Sequence, residues 1–207
     1  MKGLLIKDLL AMKKQGKTII ALLFFYIIYA VTFKNVSMLG MVIVLICAMM
    51  PITTLSYDEK CKWDSFALST TVSRKTLVLS KYIFSIILIL CAIVIVALLS
   101  SLMVFFSKEL EIVDALLMSA GLGGIALVFL TLTLPLLFKF GVEKGRMLML
   151  ATFLIPSMII MLFSNFGFSL PDEQVLRHMS YVSPIIIFFL IFISIKVSIK
   201  IVHKKEF

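Results

Sequence analysis

Residues 82–106 read YIFSIILILCAIVIVALLSSLMVFF, 25 consecutive positions from Tyr82 to Phe106 without a charged side chain. A helix rises about 1.5 Å per residue and the hydrocarbon core of a bilayer is about 30 Å thick, so roughly 20 apolar residues cross it. Once this stretch is taken as a membrane span, the rest of the chain falls into the same pattern. Five further runs approach that length: Thr18–Phe33, Met38–Tyr57, Ala115–Phe138, Met147–Phe166 and Tyr181–Val202. The expectation is an all-α membrane protein, a single domain over 1–207 with six transmembrane helices. Thr18–Phe33 is the shortest run, and Lys17 and Lys34 can snorkel to cover the mismatch. The link Lys34–Ser37 makes the first two runs a tight hairpin, fully spanning or re-entrant.

Composition agrees with lipid as the surroundings. Of the 207 residues 62% are hydrophobic and only 15% charged, and the mean hydropathy is +1.17. A soluble domain of this length cannot hide so much apolar surface. The net charge of +9 does not point to nucleic acid, because the basic residues fall in short clusters between apolar runs. With the N-terminus inside, the cytoplasmic segments hold Lys2, Lys7, Lys13, Lys14 and Lys17; Lys60, Lys62, Arg74, Lys75 and Lys81; Lys139, Lys144 and Arg146; and Lys196, Lys200, Lys204 and Lys205. The outer segments hold Lys34, Lys108 and Arg177. Positive charge gathers on the cytoplasmic side, so this bias sets both termini inside. Cys47, Cys61 and Cys91 show no metal or redox spacing and read as reduced, structural thiols. No secretory signal is evident, since a charged segment precedes the first apolar run and no small-residue cleavage pattern follows it.

What the spans lack narrows the function. None carries Asp, Glu, Lys, Arg or His at its middle. Ion-driven transporters place such groups at membrane depth, where the coupling charge moves. Intramembrane proteases and metal enzymes need a convergent polar cluster, and His178 and His203 lie in loop and tail without ligand-spaced neighbours. No GxxxxGK[ST] phosphate loop occurs, so ATP hydrolysis is expected elsewhere. Pro51, Pro135, Pro156 and Pro184 interrupt four spans, either as ordinary membrane prolines or as flex points. Ala120 and Gly124, four apart, form a small-residue face for close helix packing.

Two polar segments remain. MKGLLIKDLLAMKKQGK, residues 1–17, places Leu5, Leu9 and Met12 at helical spacing, with Lys7 and Lys14 opposite. It reads as an interfacial amphipathic helix, or more simply as a basic topogenic flank. The loop 58–81 reads DEKCKWDSFALSTTVSRKTLVLSK. Trp63, Phe66 and Ala67 recur at helical spacing before the Ser69, Thr70, Thr71 stop, and Ser73 is placed to cap the helix that follows. A short helix presenting aromatics among charges suits docking, because aromatics bury much area at little entropic cost. A plain solvated loop fits the pattern equally.

The order of Asp58, Glu59, Trp63, Phe66, Leu68, Ser73, Arg74, Lys75, Lys81 and Tyr82 resembles the second cytoplasmic segment of ABC type-2 permeases. Thr71 departs from that pattern, which has proline there. The layout is also similar along the whole chain: a basic first helix, six spans and one long inner loop. The resemblance is nearest to small bacterial peptide exporters such as the phenol-soluble modulin exporter permeases. It implies a multi-pass permease subunit in a bacterial cell membrane, without an ATPase site of its own. It also implies a second permease, identical or paralogous, and a separate cytoplasmic ABC ATPase that binds ATP and Mg. Tyr57, Asp58, Glu59, Lys60, Trp63, Asp64, Phe66 and Leu68 become the ATPase-docking (coupling) helix, followed by the motif Ser73, Arg74, Lys75, Lys81 and Tyr82. The uncharged spans suit an amphipathic or antimicrobial peptide as cargo, with export inherited from the resemblance. A non-transporting immunity or sensor protein that binds a peptide is the alternative the residues leave open.

Overall fold

A computed structural model of the chain describes residues 1–13, 15–33, 36–70, 72–107, 112–165 and 173–205. Its regular elements are helices: α1 (Lys2–Lys13), α2 (Gly16–Phe33), α3 (Val36–Lys60), α4 (Trp63–Ser69), α5 (Arg74–Ser107), α6 (Ile112–Asn165) and α7 (Glu173–Lys204). Hydrocarbon offers no hydrogen bonds, so a spanning segment must satisfy its backbone internally, and a helix does so. Among the described residues four stretches are long and apolar enough to cross a membrane: Gly40–Lys60, Arg74–Ser101, Leu116–Gly145 and Ser183–Lys204. Gly16–Tyr26 of α2 is a shorter apolar helix. Lys14, Lys34, Thr71 and Lys108 lie outside the described residues, as does the first part of the outer loop 167–180. The rest of that loop, from Glu173, is the start of α7.

The helices are sorted in the sense lipid requires. Large apolar side chains such as Ile87, Leu90, Val94 and Leu98 of α5 and Ile185, Phe188 and Phe189 of α7 point outward. Ser85, Ser119, Thr131, Thr133, Ser194 and Ser198 are buried. Small hydroxylated residues allow close helix approach and bond to backbone carbonyls, as Ser85 Oγ does to Lys81 O at 2.7 Å.

The chain divides into two compact units, Met1–Leu127 and Val128–Glu206. In the first, α3 packs along α5, α2 and α4 lie against α3, and α1 touches both α3 and α5. Glycines set the closest approaches. A Cβ on Gly40 of α3 would stand 2.8 Å from Val96 Cγ1 of α5, and one on Gly123 of α6 would overlap the Ile93 side chain. Gly123 makes such a contact, whereas Ala120 of the expected Ala120 and Gly124 face is exposed and Gly124 is half-buried. Helix rotation places position 123 toward α5, which the spacing of small residues alone does not decide.

In the second unit α6 breaks at Gly141, where φ is 77° and ψ 171°. That region is open essentially to glycine alone. A Cβ on Gly145 would lie 3.5 Å from Leu137 Cα, whereas residues eight apart on a straight helix are separated by about 12 Å. The chain folds back on itself at Gly141. The helix runs on through Pro135 and Pro156, so glycine and not proline makes the sharp turn. Pro135 has a different consequence. It lacks the N–H that would bond to the carbonyl four residues earlier, that of Thr131. Ser194 Oγ of α7 donates to that oxygen at 2.6 Å, so a side chain replaces the missing backbone donor.

Two outcomes follow from this unit. Ser194→Ala should lower stability in detergent by roughly 1–2 kcal/mol by orphaning a buried carbonyl. The loss should shrink in a Pro135→Ala background, where the restored N–H serves Thr131; equal losses in both backgrounds would refute the substitution of one donor for the other. Gly141→Ala should also destabilise, by about 1–3 kcal/mol, and a thermal melt unchanged from the parent would count against the left-handed corner.

Candidate functional site

α3 continues past its apolar run, and its last turn carries Tyr57, Asp58, Glu59 and Lys60. Cys61 and Lys62 then reverse the chain, with Lys62 in the left-handed region at φ 49° and ψ 36°. The seven residues of α4 follow at once. The helix is stopped by hydroxyls that turn back on its own carbonyls: Thr70 Oγ1 donates to Ala67 O at 2.6 Å and Ser69 Oγ to Phe66 O at 2.8 Å. Thr70 is extended, Val72 and Ser73 are non-helical, and Ser73 caps α5 by accepting the Thr76 N–H at 3.2 Å.

The two ends of this loop meet. Lys81 Nζ of α5 stands 2.6 Å from Asp58 Oδ2, an ion pair outside hydrogen-bonding alignment, and 2.7 Å from Asp8 Oδ1 of α1. Lys7 Nζ lies 2.5 Å from Asp58 Oδ1 and 3.2 Å from Asp8 Oδ1. Lys7, Asp58, Lys81 and Asp8 thus close a ring of alternating charge with no net charge. Asp8 and Lys81 have side chains only 1% and 3% exposed. Asp8 Oδ2 is enclosed without a hydrogen-bond partner among the described residues. Lys7 Nζ also lies 4.8 Å from the centroid of the Trp63 ring, a cation–π contact that ties α1 to the first residue of α4. Trp63 in turn packs on Phe66, ring centroids 5.4 Å apart. Gln15 Nε2 reaches Tyr57 Oη at 3.5 Å.

The residues singled out in the sequence therefore divide by position. Asp58, Lys81 and Tyr82 are buried; Tyr57, Trp63, Asp64, Leu68 and Arg74 are half-buried; Glu59, Lys60, Phe66, Ser73 and Lys75 are exposed. Phe66 stands out as a large apolar side chain 60% exposed on α4. In the sequence Asp8 carries no motif, and helical spacing alone sets Lys7 on the polar side of α1, opposite Leu5, Leu9 and Met12. In the structure Lys7 and Asp8 face α3 and α5, while Ile6, Leu9 and Leu10 are exposed. One signal was present: Asp8 is the only acidic residue before Asp58. Among the described residues no group of His, Cys, Asp and Glu is arranged to hold a metal ion.

A family model described as "ABC-2 family transporter protein" matches residues 3–203. No curated protein and no solved structure matches the chain.

Removing one member of the ring strands buried charge. Lys81→Met should cost about 3–5 kcal/mol, since Asp8 and Asp58 then share Lys7 alone. Adding Asp8→Leu restores neutrality and should recover much of that loss. Detergent melts of the two variants measure the difference, and a double variant no more stable than the single one would argue against the ring.

Proposed function

The chain belongs to the family of ABC-2 transporter proteins, and from that membership we propose that it is half of an ATP-driven exporter whose ATPase is a separate subunit. Membership makes it a multi-pass membrane protein and the permease component of an ABC transporter. In the proposed assembly two permeases, identical or paralogous, line one pathway. Each presents α4 to a cytoplasmic ABC ATPase that carries ATP and Mg. Both termini face the cytoplasm and the chain crosses the membrane six times, in a bacterial cell membrane. The fold-back at Gly141 supports this count, because it divides α6 into two runs that the sequence reads as separate spans.

The observation that carries the docking assignment is α4 itself. It is a short helix whose flanking segments are held by Asp58 and Lys81, leaving Phe66 exposed with Glu59 and Lys60 nearby in sequence and also exposed. An aromatic that lies outward beside charge, on a helix fixed from behind, has the character of an interface anchor. Asp58 and Lys81 act from inside this element, and the contacting residues of the proposed interface are Glu59, Lys60 and Phe66.

The cargo in this reading is an amphipathic peptide of the kind handled by phenol-soluble modulin exporters. Spans without mid-membrane charge support it, since an apolar wall neither pairs with an ion nor hydrogen-bonds a sugar.

Glu59→Ala with Phe66→Ala truncates two exposed side chains and should leave membrane insertion as in the parent. The ABC ATPase that copurifies with the parent in mild detergent should no longer do so, because loss of a central anchor costs roughly 2 kcal/mol or more. Retention of the ATPase by this variant would overturn the docking assignment.

A further inference from the structure

Between α4 and α5 the covalent connection is irregular. Thr70 is extended, and Val72 and Ser73 are non-helical. The non-covalent connection is direct: Trp63 at the start of α4 lies under Lys7, Lys7 pairs with Asp58 and Asp8, and both carboxylates pair with Lys81 of α5.

Burying three charges beside a half-buried fourth is a poor way to gain stability alone, because well-packed apolar residues of similar volume often serve as well or better. Beside lipid the comparison changes. A leucine gains nothing by facing another helix instead of an acyl chain, so apolar contact does not choose a partner. A ring of alternating charge does choose. Each carboxylate meets two ammonium groups, and sliding α1, α3 or α5 along one another brings like charges together. Coulomb attraction also falls off gradually with distance, whereas dispersion is lost within a fraction of an ångström. The ring is therefore suited to keep three helices joined while they move.

We propose that Lys7, Asp8 and Lys81 are positioning residues for transport: with Asp58 they join α1, α3 and α5 into one body, so that a displacement of α4 reaches α5 through the Trp63–Lys7 contact and the ring. This deepens the reading of α4 as the docking helix and rests on it. None of the three touches the ATPase; they decide whether motion received at α4 is delivered to α5.

The test places spin labels on α4 and at the far end of α5, as Ser69→Cys and Ser101→Cys in a full-length chain with Cys47, Cys61 and Cys91 replaced by serine. The chain is purified with its copurifying ATPase, and the distance is measured without nucleotide and after trapping with ATP and vanadate. With the ring intact the two labels should keep one distance in both states. An apolar ring (Lys7→Met, Asp8→Leu, Asp58→Leu, Lys81→Met) strands no charge; it should still bind the ATPase, and the trapped state should show a shifted, broadened distance. An apolar-ring variant that keeps the parent's single distance in both states overturns the proposal. So does loss of the ATPase from that variant, because the ring would then shape the docking surface and not carry motion. If the apolar variant does not insert, the neutral pair Asp8→Leu with Lys81→Met decides, since it keeps the Lys7–Asp58 and Lys7–Trp63 contacts and removes only the link to α5: a shifted distance in the trapped state supports the proposal, and the parent's constant distance overturns it. The docking reading fails separately, when the ATPase stays bound after Glu59→Ala with Phe66→Ala.

Discussion

Lipid removes the ordinary reason for helices to stick together. Acyl chains contact a leucine as favourably as another helix does, so a particular arrangement has to come from close backbone approach, hydrogen bonds or charge. In the first unit of this protein the strongest such constraint is the ring of Lys7, Asp8, Asp58 and Lys81 where α1, α3 and α5 meet, with Lys7 half-buried and the other three buried. Its demands explain features that otherwise look unrelated. α1 turns Lys7 and Asp8 toward the protein, which leaves Ile6, Leu9 and Leu10 outward, flanked by the exposed Lys2 and Lys13. α5 starts at Arg74, about two turns ahead of its apolar run, and that extension carries Lys81 to the ring.

The second unit meets the same difficulty without charge. Glycine at 141 permits a corner that any side chain would strain, and proline at 135 opens a gap in the backbone ladder that Ser194 closes from α7. The hydroxyl is matched to a specific vacancy: the carbonyl that accepts it is the one a proline four residues later cannot serve. Polar economy of this kind lets a proline remain inside a buried helix, and it fastens α7 to α6 at one register.

Much of this is legible in the order of the residues. Runs without charge announce the helices, and the family pattern around Trp63 and the Lys81–Tyr82 pair points to the loop 58–81. Ser73 is recognisable as a cap because a short hydroxylated residue stands just before a helical run. The inward role of Lys7 and Asp8 is not legible. Lysines in a basic N-terminal segment read as topogenic charge, and nothing in one sequence says that position 8 faces position 81. Ala120 and Gly124 look like the packing face because of their spacing, yet Ala120 is exposed and Gly123 meets Ile93. Gly141 passes as an ordinary residue of a short loop, since glycine is common in loops and its φ is unknown until the chain is folded.

The sequence by itself determined that this chain is helical and lives in a membrane, because hydropathy and backbone satisfaction in lipid are properties of segments. It also carried the family pattern, and in the lack of charge within its spans a reason to look for power elsewhere. Only the tertiary structure decided which polar residues meet. Asp8 and Lys81 lie 73 positions apart, as Ser194 and Thr131 lie 63 apart, and pairing across such distances follows from how helices rotate and cross. Those rotations are settled jointly by several weak preferences in lipid, and no single segment contains them.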